Sequence, residues 1–346
     1  MAKRPPFQIG NFSIAPGERR TVDLPVSVLS DHTPVTLSVH VIHGRRPGPT
    51  MFVSAAVHGD EVIGVEIARR LLRSKSVDSL KGTLLVIPIV NAFGFMNHSR
   101  YLPDRRDLNR SFPGSEKGSL AGRLANLFVT EILKRSDFGV DLHSAAIHRM
   151  NMPQIRVSTT KSETFRLAEA FGAPVTIISK LRDGSLRMTA QKHGVDVLLY
   201  EAGEGLRFDE HSARAGVAGI LRVMHALGMI GKRGVQVPET RPLRATSSKW
   251  LRAPAGGLLR VFKGTSQHVN KDEVLGTISD PFGEQEYEIT ADYSGLIVGR
   301  TMLPIVNEGD ALFHLAETDG TDPEATIDAL TEQLGNDPMF DEDEII

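Results

Sequence analysis

The sequence predicts an α/β fold, with a mixed central sheet carrying helices on both faces and a small all-β domain after it. Three observations carry this. Short, nearly continuous apolar runs recur between residues 49 and 200, as strands buried on both faces do. Amphipathic helical stretches separate those runs. Beyond residue 250 glycine-punctuated, strand-like pieces replace the helical pattern.

The elements follow in order. TVDLPVSV and TPVTLSVHVIHG alternate polar and apolar residues about a polar turn, Ser30-Asp31-His32, and predict a β-hairpin. PTMFVSAAV (49–57), TLLVIPIV (83–90), FGVDLH (138–143), IRVS (155–158), PVTIIS (174–179) and VDVLLY (195–200) predict strands. Helices are expected over 62–72, 120–133 and 209–228, the last closed by Gly228. Residues 231–249 are rich in Arg, Pro, Ser and Gly without apolar period, and predict a linker. The expected organisation is therefore a large α/β domain with an N-terminal hairpin (1–230), a linker (231–249), a β-domain (250–318) and an acidic tail (319–346) ending MFDEDEII.

Composition narrows the function. The chain has no cysteine, which removes thiol nucleophiles, disulfides and cysteine-type zinc sites. The net charge of -2 gives no basic excess for a nucleic-acid or membrane-surface partner. No run approaches the ~20 apolar residues of a membrane span, and the N-terminus lacks a signal-peptide core. Cytoplasm is the default expectation, and a homo-oligomer is compatible with it.

His58-Gly59-Asp60-Glu61 follows the 49–57 run, where strand becomes helix. Active sites of open α/β sheets form at such carboxyl ends. The short HxxE spacing alone is weak, because such pairs are commonly surface residues. His143 ends a second strand and adds a third ligand type. Two histidines and one carboxylate form a catalytic zinc set that leaves a position open. Asp141 is a candidate outer-shell partner, weighed against the opposite-face rule for neighbouring strand residues. The loop 99–114 carries Arg100, Arg105, Arg106, Arg110 and Asn109. It can offer guanidinium forks to a carboxylate or an oxyanion, or be a solvated loop paired to its own aspartates. Glu201, directly after VDVLLY, is a candidate general base and acid; Glu204 competes, on a glycine-rich segment.

Taken together, His58-Gly59-Asp60-Glu61, Arg100-Tyr101, Asp107-Leu108-Asn109-Arg110, Asp141-Leu142-His143 and Glu201 resemble the succinylglutamate desuccinylase/aspartoacylase family, relatives of zinc carboxypeptidases. The resemblance implies one zinc held by His58, Glu61 and His143. It implies that Arg100 polarises the scissile carbonyl, Asn109 and Arg110 clamp a substrate carboxylate, and Glu201 moves the proton. The expected activity is hydrolysis of an amide in an N-acyl amino acid by metal-activated water. A carboxypeptidase or γ-glutamyl-type peptidase on short acidic peptides is the alternative, and a non-catalytic carboxylate-binding protein a third reading. Arg105-Arg106 makes the loop slightly long beside aspartoacylase, so the substrate is not carried over. Pro254-Ala255-Gly256-Gly257 and Ala291-Asp292-Tyr293-Ser294-Gly295 resemble turns of biotinyl/lipoyl-like barrel-sandwich domains, without a lysine at a hairpin tip.

Overall fold

The computed structural model describes residues 4–158, 162–319 and 322–337. The strands are β1 (Phe7–Ile9), β2 (Phe12–Ile14), β3 (Arg19–Val28), β4 (Pro34–His43), β5 (Arg46–Ala55), β6 (Lys81–Ile87), β7 (Phe138–His143), β8 (Arg149–Val157), β9 (Val175–Ile178) and β10 (Asp196–Gly203). They continue as β11 (Leu243–Arg252), β12 (Gly257–Val261), β13 (His268–Val269), β14 (Val274–Ser279), β15 (Glu286–Thr290), β16 (Gly295–Thr301), β17 (Ile305–Val306) and β18 (Ala311–Thr318). The helices are α1 (Ile63–Arg73), α2 (Ala92–Met96), α3 (Leu120–Glu131), α4 (Ser162–Phe171), α5 (Leu186–Lys192), α6 (Glu210–Ala226) and α7 (Pro323–Gly335). No helix among the described residues is long and apolar enough to cross a membrane.

Twelve strands form one mixed sheet in the order β13-β16-β18-β11-β9-β8-β10-β7-β5-β6-β4-β3. Its centre, β10-β7-β5-β6, is parallel, so the carboxyl ends of these four strands lie along one edge. Residues on β5 show why helices cover both faces. Met51, Val53 and Ala55 pack into a core with Ile63 and Ile67 of α1 and Ile220 of α6. Phe52 points the other way, into a core with Leu124 and Phe128 of α3. Alternation along a strand buried on both sides yields a continuous apolar run, as the sequence shows here.

The expected hairpin is present as β3 and β4, with His32 at positive φ in its turn. The expected strands at 49–57, 83–90, 138–143, 174–179 and 195–200 correspond to β5, β6, β7, β9 and β10, and the helices at 62–72, 120–133 and 209–228 to α1, α3 and α6. IRVS belongs to a longer strand, β8. Helices α2, α4 and α5 were not expected. Two C-terminal expectations differ more. The non-periodic segment 231–249 becomes strand from Leu243, where β11 pairs parallel with β9. Its exposed positions hide the period, because only Leu243, Ala245 and Leu251 of the strand are buried. The segment 319–346 contains helix α7, which buries Ile327, Leu330 and Leu334. Asp322 caps it by accepting from the Ala325 amide, with Pro323 at its start. MFDEDEII lies outside the described residues.

Residues after 250 form the four-stranded sheet β15-β14-β12-β17 and also extend the main sheet through β13, β16 and β18. The junction is apolar. Met152, Val175 and Ile177 pack with Leu243, Ala245, Leu296, Val298, Ala316 and Ile327. Ile177, 1% exposed, sits in that cluster. Ile177→Ala is expected to lower stability by about 2–5 kcal/mol in urea unfolding. A loss below about 1 kcal/mol would show that the junction is not a packed core.

Candidate active site

The four parallel strands bring the expected residues to one edge. His58 lies three residues beyond β5, and Glu61 just before α1. The turn between them is pressed against α2: a Cβ on Gly59 would lie 1.9 Å from the Gly94 carbonyl carbon. Gly59 is thus needed for close approach rather than for an unusual dihedral angle. His143 is the last residue of β7, and Glu201 of β10 is its direct partner across the ladder.

Glu61 lies between two imidazoles. Its Oε1 is 2.6 Å from His58 Nδ1 and its Oε2 is 2.6 Å from His143 Nδ1. Its Oε2 also accepts from the Ser144 amide at 3.2 Å. All three side chains are buried, and a ligand atom from each lies within 4.8 Å of the others. Each imidazole is held from behind by a carboxylate. His143 Nε2 donates to Asp141 Oδ2 at 2.8 Å, and Ser54 Oγ donates to Asp141 Oδ1 at 2.7 Å. Asp141 and His143 are two residues apart on β7 and therefore share a face, so the opposite-face reservation does not apply to them. His58 Nε2 donates to Asp107 Oδ1 at 3.1 Å. A carboxylate only accepts, so each Nε2 bears its proton and each Nδ1 turns toward Glu61.

The electrostatics follow from burial and these pairs. Burial works to raise the Glu61 pKa, but His58 and His143 outweigh it and hold the carboxyl well below its ordinary range. Burial works to lower both histidines. Glu61 and Asp107 reverse it for His58, and Asp141 and Glu61 drive His143 well above its ordinary value. Asp107 is likewise held far below the carboxylate range against its burial, by His58 and Arg100.

The loop residues divide. Arg100 binds Asp107 through Nε at 3.3 Å and NH2 at 3.0 Å. Its NH1 donates to Glu61 Oε1 at 3.2 Å, at the rim of the cluster. Asn109 is buried, and its Oδ1 accepts from the Leu186 amide at 2.9 Å, tying the loop to α5. That leaves its amide nitrogen for a ligand. Arg110 is exposed, and among the described residues no carboxylate lies within ion-pair distance of it. Arg105 and Arg106 are exposed on the turn.

Glu201 is not the residue at which its strand ends, because β10 continues to Gly203. Its Oε2 accepts from Asn151 Nδ2 at 2.9 Å, and its Oε1 is 3.6 Å from Arg156 NH1. Glu204 is engaged elsewhere, accepting from the His148 amide at 3.0 Å. Sequence reasoning missed Asp107 as the partner of His58, and also Asn151, Arg156 and Arg187. Arg187 NH1 and Arg156 Nε are buried without a protein partner. Burial and the nearby Arg156 lower the Arg187 pKa to about 10. Asn151 and Arg156 come from β8 and Arg187 from α5, and no local spacing links the two elements.

The sequence and fold match a known family. The model of the succinylglutamate desuccinylase/aspartoacylase catalytic domain matches residues 47–227. The chain belongs to that family. It is 26% identical over 291 residues to the N-alpha-acetyl-L-2,4-diaminobutyric acid deacetylase of Halomonas elongata, covering 79% of this chain and 83% of that protein. It is 27% identical over 183 residues to the succinylglutamate desuccinylase of Pseudomonas aeruginosa, covering 49% of this chain and only 51% of that protein. Among solved structures, the product-bound ectoine utilization protein EutE (DoeB) of Ruegeria pomeroyi superposes with a TM-score of 0.78 at 24% identity, covering 86% of this chain and 94% of that one. An aspartoacylase family protein of Mesorhizobium loti superposes with a TM-score of 0.76 at 23% identity, covering 92% and 99%. These likenesses extend the shared fold beyond the catalytic domain, into the C-terminal β-region.

Asn109 has a structural task that Arg110 lacks. Asn109→Ala leaves the Leu186 amide without its acceptor and is expected to cost about 1–3 kcal/mol. Arg110→Ala should leave stability within about 0.5 kcal/mol. Equal thermal midpoints for the two variants would contradict this division.

Proposed function

We propose that the protein is a zinc-dependent deacylase that hydrolyses the amide bond of an N-acyl amino acid. The observation that carries this reading is the buried group of His58, Glu61 and His143, with each histidine oriented by its own carboxylate. Imidazole nitrogens and carboxylate oxygens 2.6 Å apart need positive charge between them. Two imidazole nitrogens and a carboxylate oxygen that converge within 4.8 Å of one another are the nitrogen and oxygen donors that zinc takes, so the donor set fits zinc. When bound, zinc acts as a Lewis acid and makes water nucleophilic near neutral pH.

The remaining steps belong to the chain. Arg110 holds the substrate carboxylate, with the Asn109 amide nitrogen beside it. Arg100 donates to the scissile carbonyl oxygen as water adds to the carbonyl carbon and the oxygen gains charge. Glu201 takes a proton from the attacking water and delivers it to the amide nitrogen as the C–N bond breaks. The second proton of the water also ends on that nitrogen, so the products are a carboxylate and an ammonium group. The names of the relatives suggest acetyl or succinyl as the acyl group. Turnover of N-acetyl-L-2,4-diaminobutyrate, N-succinyl-L-glutamate and short acidic peptides, followed by amine release, tests the reading. Cleavage of peptides alone would favour a peptidase.

His143→Ala is expected to lose zinc and activity together, read by elemental analysis. Asp141→Asn should keep the ligands but weaken zinc binding about 10–100-fold in chelator competition. Full zinc occupancy in His143→Ala would sink the ligand assignment.

Turnover should separate the other roles. Glu201→Gln should keep zinc and lower kcat by roughly 10²–10⁴-fold. Arg100→Ala should act mainly on kcat and Arg110→Ala mainly on KM, because the first interaction grows with charge in the transition state. Two variants that only raise KM would refute the assignment of Arg100.

A further inference from the structure

Asn151 lies where β8 is paired on both sides, and its partners across the ladders are both glycines, Gly203 on β10 and Gly299 on β16. Its side chain is buried. The amide nitrogen donates to Glu201 Oε2 at 2.9 Å. The amide oxygen faces Gly299: a Cβ there would lie 2.5 Å from Asn151 Oδ1 and 3.1 Å from the Met150 carbonyl oxygen. The carboxylate can only accept, so the nitrogen must face it and the oxygen must face the glycine. The amide therefore fills a slot whose far wall is the C-terminal strand.

Two further features act on the same carboxylate. The register between β10 and β8 shifts between Glu201 and Gly203, an irregularity of the kind that re-aims a side chain beside an active site. Gln154, the ladder partner of Glu201, fastens β8 to β16 by donating from Nε2 to the Val298 carbonyl at 3.1 Å. Against the Asn151 contact stands Arg156, whose NH1 is 3.6 Å from Glu201 Oε1. A full charge at that distance would draw the carboxylate away if the amide were absent.

We propose that Asn151 is a positioning residue for Glu201, and that the C-terminal strand Gly295–Thr301 sets its amide through Gly299. The proposal rests on the reading of Glu201 as proton carrier. It gives the C-terminal β-region a part in the reaction: it braces the residue that aims the base.

The test uses the full, zinc-loaded chain and whichever of N-acetyl-L-2,4-diaminobutyrate and N-succinyl-L-glutamate is cleaved faster. Asn151→Ala and Gly299→Ala are each expected to lower kcat roughly 10–100-fold, the scale of a misplaced catalytic group, with KM within about two-fold. Adding Asn151→Ala to Glu201→Gln should cause no further loss, because both changes act through one carboxylate. Fully additive losses in the double variant overturn the proposal. A crippled Glu201→Gln beside an unimpaired Asn151→Ala sinks this inference alone, whereas near-normal turnover by Glu201→Gln sinks the reading of Glu201 and the inference with it. A crystal structure of Asn151→Ala supplies a readout independent of substrate: the Glu201 carboxylate should shift onto Arg156. A carboxylate left in place refutes the proposal, and if Asn151→Ala does not fold, the structure of Gly299→Ala decides in the same way.

Discussion

The buried charge of Glu61 is the constraint on which the site depends. A carboxylate sealed from water is stable only with opposite charge around it. Here that charge comes from two imidazoles at 2.6 Å and from Arg100 at 3.2 Å. Each of these cations then needs its own partner, and Asp141 and Asp107 supply them. The cluster closes because Asp107 serves both His58 and Arg100. Removing one member would leave a neighbour's charge uncompensated, so the geometry of His58, Glu61 and His143 and the place of Arg100 are set by one network.

The sheet makes that network rigid. Four parallel strands end along a common edge, and the groups they carry have little freedom there. His143 is fixed by β7, whose six residues are all buried. The turn from His58 to Glu61 is fixed by the backbone approach of Gly59 to Gly94. The loop from Arg100 to Arg110 has no such strand, and it is held instead by the Asn109 contact to the start of α5. This distribution suits the proposed hydrolysis, which asks for fixed groups at the strand ends beside an exposed arginine on the loop.

The C-terminal region is joined to this scaffold through β11 on β9 and through β16 on β8. The apolar cluster of Ile177, Leu243, Val298 and Ile327 makes the join part of a core rather than a tether. Beside that cluster β16 reaches Asn151, and Asn151 reaches Glu201. One amide side chain thus links strand β16 to Glu201.

The sequence by itself determined the alternation of strands and helices, because strands buried on both faces need unbroken apolar runs that few other structures use. It also made His58, Glu61 and His143 legible as a group, since His58 and Glu61 are near neighbours and His143 ends a recognisable strand, and the fold brings their ligand atoms within 4.8 Å of one another. Strand β11 was hidden, because its partly exposed positions show no apolar period. Helix α7 lay within a stretch read as an acidic tail. Asp107 as the support of His58, the tie from Asn109 to α5 and the buried guanidiniums of Arg156 and Arg187 were decided only by tertiary structure. So was Asn151 between its two glycines. These contacts join residues up to 148 positions apart, as Asn151 and Gly299 are. No local spacing encodes such a pair; only the order of strands in the sheet brings its members together.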